Sequence, residues 1–131
     1  MFVKMMTCQI KEGMGDTFST GQRYWSELKD CGGFKAQYGG WSKEKDDVAN
    51  IIGFWENDYY YQKFMDGQHD LIYEKTDQKG TIASIEVEVM ERVIEDIEKF
   101  ASSWLSSEQS DIQEHWSVTP YKKEEYIYDE Q

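Results

Sequence analysis

Residues 2 to 10 put Phe2, Met6, Cys8 and Ile10 on one parity and Val3 and Met5 on the other. Successive side chains of a strand point to opposite sides of its sheet, so apolar residues on both parities predict a strand buried on both faces, hence a central one. Val48 to Trp55 repeats the pattern with Ile51, Ile52, Phe54 and Trp55 and predicts a second central strand. Two other stretches are more one-sided. In Phe34 to Ser42, Phe34, Ala36 and Tyr38 alternate with Lys35 and Gln37, and Gly39-Gly40 reads as a bulge before Trp41. In Thr81 to Met90, Ala83, Ile85, Val87 and Val89 alternate with Ser84, Glu86 and Glu88. Both are predicted at sheet edges.

Helical spacing fills the gaps. Asp16 to Lys29 carries Phe18, Trp25 and Leu28 on one stripe around Gly21, with Asp16 as cap and Gly32-Gly33 as stop. The charged run SKEKDD, residues 42 to 47, makes a hairpin loop. Asn57 or Asp58 caps a second helix, with Tyr60, Phe64 and Leu71 on its apolar stripe and Gly67 as an interior weakness able to split it.

The order β-α-β-β-α-β, with the first and third strands central, predicts an α+β, ferredoxin-like split arrangement: one antiparallel sheet in the order 4-1-3-2. Both helices then cover one face. The apolar residues of the other face need a different cover, and a second copy of the chain, sheet against sheet, is the simplest one. Beyond Met90, Val93, Ile97, Phe100 and Trp104, joined by Ile94, Ala101 and Leu105, give a third amphipathic helix. The expected organisation is a domain over 1–93, a C-terminal helix over 94–106 and an acidic, partly ordered tail over 107–131. In that tail Trp116, Pro120 and the run from Tyr126 to Tyr128 offer anchors. Residues 91 to 131 hold 11 acids and 4 bases, so they carry -7 of the chain's formal charge of -12.

With 26 acidic and 14 basic side chains among 131 residues, the whole molecule repels phosphate backbones and anionic membranes. No window approaches the roughly 20 apolar residues of a membrane span. These features predict a soluble cytoplasmic protein without nucleic-acid or membrane partners. Cys8 and Cys31 lack the spacing of a metal site and read as reduced thiols.

The chemistry concentrates in FWENDYYYQKFMDGQHDLIYEK, residues 54 to 75. His69 can exchange a proton near neutral pH, and Asp66 and Asp70 are close in sequence. On an unbroken helix, at about 100° per residue, His69 lies opposite Tyr60 and faces water. If Gly67 breaks the helix, the ring is free to turn toward the space between sheet and helices. Of Tyr59, Tyr60 and Tyr61, Tyr60 is expected in the core, with its neighbours available to a pocket or a partner. Trp25, Tyr38, Trp41 and Trp55 either line an aromatic cavity or simply pack. Asp66, His69 and Asp70 make half of a metal site, but the only other histidine is His115, so no metal is expected. A GxSxG turn, a glycine-rich phosphate loop and the partners of a Ser or Cys triad are all missing.

The strand ending in FWEN, the helix with its Phe64-Met65 pair and the His shortly after resemble the antibiotic-biosynthesis-monooxygenase-like branch of the dimeric α/β barrel superfamily, and more closely an uncharacterised group of small bacterial proteins within it. The likeness covers about residues 1 to 93. It implies a homodimer with a pocket between sheet and helices in each subunit. Members of that branch include cofactor-independent oxygenases of aromatic polyketides and haem degraders. The haem degraders use an Asn on the first strand, a Trp ten positions before the His, and the His; here those places hold Thr7, Cys8 and Gln9, then Tyr59, then His69. The oxygenase likeness implies no cofactor, His69 as base, Tyr59 or Tyr61 donating a hydrogen bond to the developing oxyanion, and Trp25 and Trp55 as walls. Tyr38, Tyr60 and Phe64 complete the expected ligand surface. The function so predicted is binding, and possible oxygenation, of an apolar or aromatic small molecule. The alternative is a non-catalytic dimeric binding or stress-associated protein.

Overall fold

The computed structural model describes residues 1–120, and the Tyr126 to Tyr128 run lies outside the described residues. One four-stranded antiparallel sheet is built from β1 (Phe2–Ile10), β2 (Phe34–Trp41), β3 (Val48–Trp55) and β4 (Ile82–Glu91) in the order β2-β3-β1-β4. This is the order 4-1-3-2 read from the other side, with the two doubly apolar strands in the middle as their pattern requires. Met6 pairs with Ile51 and Val87, which puts three apolar residues in one row across β3, β1 and β4. The register slips between Phe34 and Ala36 on β2, whereas Gly39 and Gly40 stay in phase with Ile51 and Asn50. The expected bulge at the glycine pair is therefore corrected. The glycines answer a different demand: a Cβ on Gly40 would collide with the Asp111 backbone, and one on Gly39 would press on the Trp116 ring.

Four helices follow, α1 (Gly15–Gly21), α2 (Asp58–Asp66), α3 (Gln68–Thr76) and α4 (Ile97–Ser107). The expected single helix to Lys29 is α only through Gly21 and continues as a 3-10 segment over Gln22–Asp30. The second helix splits at Gly67, as the weak point allowed. Asn57 caps α2, its side chain accepting from the Tyr60 N–H at 3.2 Å. The inward residue of this turn is Tyr61, stacked on Phe2 at 4.7 Å, and not Tyr60. Tyr60 packs over Gly33, whose φ of +78° a side chain adopts only with strain and where a Cβ would run into the Tyr60 ring. After the break Ile72 is buried and Leu71 is 57% exposed, the reverse of the stripe predicted from a continuous helix.

The face opposite α1 to α3 is not bare. α4, capped by Asp96 accepting from the Lys99 N–H at 3.0 Å, lays Ala101 and Leu105 against Val3, Met5, Ala36, Tyr38, Ile52 and Phe54. The premise that this face needs a second copy is corrected: the chain's own third helix covers it. α4 starts at Ile97, leaving Val93 of the expected stripe 94% exposed. Beyond it the chain folds back along the outer edge of β2. Gln37 and Val118 exchange backbone hydrogen bonds at 2.8 and 2.9 Å, Gln113 N–H donates to Gly39 O at 2.8 Å, and Trp116 is 1% exposed. A buried relay joins this strap to the sheet, Thr7 Oγ1 donating to Asn50 Oδ1 at 2.9 Å and Asn50 Nδ2 to Ser110 Oγ at 2.8 Å.

Candidate functional site

Between the sheet and α1 to α3 lies a cavity of about 430 Å³. Its floor is set by strand parity. Lys4, Met6 and Cys8 share one face of β1, and Ile51, Gly53 and Trp55 share the matching face of β3. Its roof comes from Trp25 and Leu28 of the 3-10 segment, Tyr61 and Phe64 of α2, and His69 and Tyr73 of α3. Gly53 removes a side chain from the middle of the floor, which helps keep the space open.

The break at Gly67 decides where His69 points. Gly67 has φ -130° and ψ -81°, so α3 restarts out of phase with α2 and its first turn brings His69 over the cavity. The imidazole sits among Trp25, Phe64 and Tyr73, with centroid distances of 5.7, 5.7 and 5.8 Å. Its Nδ1 lies 2.9 Å from Asp70 Oδ1. An ionised carboxylate only accepts, so Nδ1 carries the proton and, in the neutral ring, Nε2 keeps its lone pair. That is the arrangement of a base oriented by an acid, although Asp70 is 90% exposed and water weakens its pull.

Of the residues singled out from the sequence, His69, Tyr61, Trp25, Trp55 and Phe64 meet around the cavity. Tyr59 is 65% exposed and lies outside the lining, Tyr60 packs against the glycine turn, and Tyr38 faces α4 on the other side of the sheet. Burial, then the charges of Glu98 and Asp96, push the Tyr38 phenol above its ordinary pKa. Trp41 joins Phe18 and Trp116 in a separate cluster. Among the described residues no group of three His, Cys, Asp or Glu side chains is placed to hold a metal ion.

Sequence reasoning missed Lys4, Cys8, Gln22, Tyr73 and Gln78, all of which line the cavity. Strand parity was the available signal for Lys4, which shares its face with Phe2 and Met6. Burial pushes the Cys8 thiol up to about 11, partly opposed by the Lys4 charge, so Cys8 is a neutral wall atom near neutral pH. Burial, then Cys8, pushes the Tyr73 phenol above its ordinary value as well. Gln78 is held by a directional chain: Trp25 Nε1 donates to Gln78 Oε1 at 3.0 Å, and Gln78 Nε2 donates to Phe18 O at 2.8 Å and Gln22 Oε1 at 2.6 Å.

Solved structures share this architecture. A putative antibiotic biosynthesis monooxygenase from Nitrosomonas europaea is 11% identical with a TM-score of 0.62, the match covering 72% of this chain and 100% of that one. SnoaB, a cofactor-independent oxygenase from Streptomyces nogalater, is 13% identical with a TM-score of 0.60 over 72% of this chain and 94% of its own. MhuD, a heme-degrader from Mycobacterium tuberculosis with two hemes bound in its active site, is 13% identical with a TM-score of 0.60 over 73% and 99%. The fold is thus the ferredoxin-like one of antibiotic-biosynthesis-monooxygenase-like proteins. Over residues 2–90 the sequence matches the family described as a domain of unknown function, DUF4937, and the chain belongs to it. It is 43% identical over 93 residues to the uncharacterized protein YdbC of Bacillus subtilis (strain 168), which spans 70% of this chain and 78% of that protein.

The expected working set of a haem degrader does not assemble here. Thr7 points to the α4 face, where it is bonded to Asn50, and Tyr59 stands outside the cavity. Of those positions His69 and Cys8 reach the cavity, Cys8 as a neutral wall residue.

Proposed function

We propose that this protein binds an apolar or aromatic small molecule in the cavity and oxygenates it without a cofactor. His69 Nε2 removes a proton from a ring CH2, the carbanion adds dioxygen to give a hydroperoxide, and loss of water leaves a ring carbonyl, the substrate itself supplying the four electrons that reduce the dioxygen. Tyr61 donates a hydrogen bond to the oxyanion, and Trp25, Trp55 and Phe64 shape the ring site while excluding water. The observation that carries this reading is the setting of His69, half-buried over an aromatic cavity with Nδ1 committed to Asp70. Tyr59 drops out of the catalytic set because its ring is exposed away from the cavity. The test is oxygen uptake with an anthrone as probe, comparing the native protein with His69→Ala. Uptake that needs His69, with anthrone binding retained in the variant, supports catalysis. Binding without uptake in the native protein favours the alternative, a non-catalytic binding protein, for which the exposure of Asp70 is the supporting observation.

The homodimer is also a proposal, with its contact moved to β4. Ile85, Val87 and Val89 are 50%, 48% and 54% exposed along this outer strand, whereas the opposite face is filled by α4. Sedimentation equilibrium of Val87→Lys against the native chain tests it: a dimer that the lysine dissociates is expected, and a native monomer refutes it. A cytoplasmic setting accords with free Cys8 and Cys31 and with the lack, among the described residues, of any helix long and apolar enough to cross a membrane.

A further inference from the structure

One residue in five of this chain is acidic, yet among the described residues no carboxylate lines the cavity, while Lys4 and Lys79 do. Asp70, the carboxylate held by His69, is 90% exposed and outside the lining. On the neighbouring strand Glu86 and Glu88 alternate away from the row Ile85, Val87 and Val89 that shares its face with Lys4 and Cys8. Lys4 is half-buried in the floor, and its ammonium stands 5.0 Å from the centre of the Tyr61 ring. A cation in an otherwise apolar floor suits a ligand that brings an acceptor, since a charge-assisted hydrogen bond is stronger than a neutral one.

A second donor points the same way. An indole N–H only donates, so Trp25 fixes Gln78 Oε1 as an acceptor, and Gln78 Nε2 must then donate to Gln22 Oε1. The amide orientation of Gln22 is forced by this chain. Its Nε2 is left buried at the cavity wall, with no acceptor among the described residues. Gln22 is 2% exposed, so bulk water does not serve that N–H₂ group.

Resting on the proposal that the cavity takes an aromatic small molecule, we infer that the molecule it selects is an anion: a ring system bearing an ionised carboxyl oxygen. Lys4 neutralises that oxygen, and Gln22 Nε2 donates to it or to a neighbouring carbonyl. The rings lie between the aromatic roof and the floor of Met6, Ile51 and Trp55. This gives an acidic protein a site for an acidic ligand, with selectivity set by the local lysine and not by the overall charge.

The probes are 2-naphthoate and its neutral isostere 2-naphthamide, titrated by calorimetry into the native chain, Lys4→Met and Gln22→Met. The native protein is expected to bind the carboxylate about tenfold tighter than the amide, the scale of one charge-assisted hydrogen bond. Lys4→Met should erase that preference while amide affinity stays within about twofold, which also shows that the variant is folded. Gln22→Met should weaken the carboxylate severalfold with Lys4 intact. Equal binding of the two probes by the native protein, or a preference that survives Lys4→Met, overturns the anion inference and leaves the cavity reading standing. If neither probe binds up to millimolar concentration, the cavity reading fails and takes this inference with it.

Discussion

The two faces of one sheet are finished differently. On the α4 side, Ile52 and Phe54 are fully buried, Phe100 meets Phe54 edge to face at 6.0 Å, and Ala101 is small enough to let the helix settle close to the strands. On the other side, four shorter helical pieces arch over the same strands and leave a cavity of about 430 Å³. Both faces draw on the same two central strands, so strand composition does not explain the difference. The cover does: one continuous amphipathic helix follows the sheet, whereas a roof broken at Gly21 and Gly67 cannot. One face is therefore filled and the other is left open.

That division can be broken experimentally. Phe54→Ala should cost about 3–5 kcal/mol in urea unfolding while leaving probe affinity in the cavity unchanged, because the emptied volume lies under α4. Comparable damage to binding would mean that the faces are not independent. On the open side, His69→Ala should reduce oxygen uptake at least about a hundredfold with little loss of stability, the usual scale for removing a general base. Next in size is an alkaline effect. The Cys8 thiol is raised from 9.0 to about 11 in the folded chain, so above pH 9 the unfolded chain ionises first and stability falls as pH rises toward 11. A Cys8→Ala variant should flatten that fall by about 2 kcal/mol in denaturant titrations between pH 8.5 and 11. The smallest pair compares the caps: Asn57→Ala and Asp96→Ala should each cost about 1 kcal/mol, but only the former, at the start of α2, should also loosen cavity binding.

Periodicity made the sheet legible because strands report their two environments directly: apolar residues on both parities of β1 and β3 put those strands in the middle. Helix phase was less legible. A continuous stripe through Tyr60, Phe64 and Leu71 assumes one helix, and the glycine that breaks it also turns inward Ile72 and His69, residues that an unbroken helix points elsewhere. The offset by one from Tyr60 to Tyr61 arises from tertiary demand, since Phe2 and Trp55 offer Tyr61 a stacking place and an edge contact. The strap from Ser110 to Val118 left almost no periodic signal. Its hold comes from backbone pairing with β2, from the Asn50–Ser110 bond and from one buried indole, none of which has a spacing to read. The polar part of the cavity was hidden for a related reason: the Trp25, Gln78 and Gln22 chain joins residues 53 and 56 positions apart in sequence.

Val118 pairs with Gln37 at the outer border of β2, and this has a consequence for the order of synthesis. A ribosome making roughly 5–20 residues per second needs on the order of 4–15 s to travel from Trp41 to Val118. Until Val118 is made, the outward backbone groups of Gln37 on β2 lack their native partner. The waiting time is longest in cold or starved cells, where elongation slows. A chaperone that masks extended segments would matter most there, and a stop codon placed before Val118 would make the temporary vulnerability permanent.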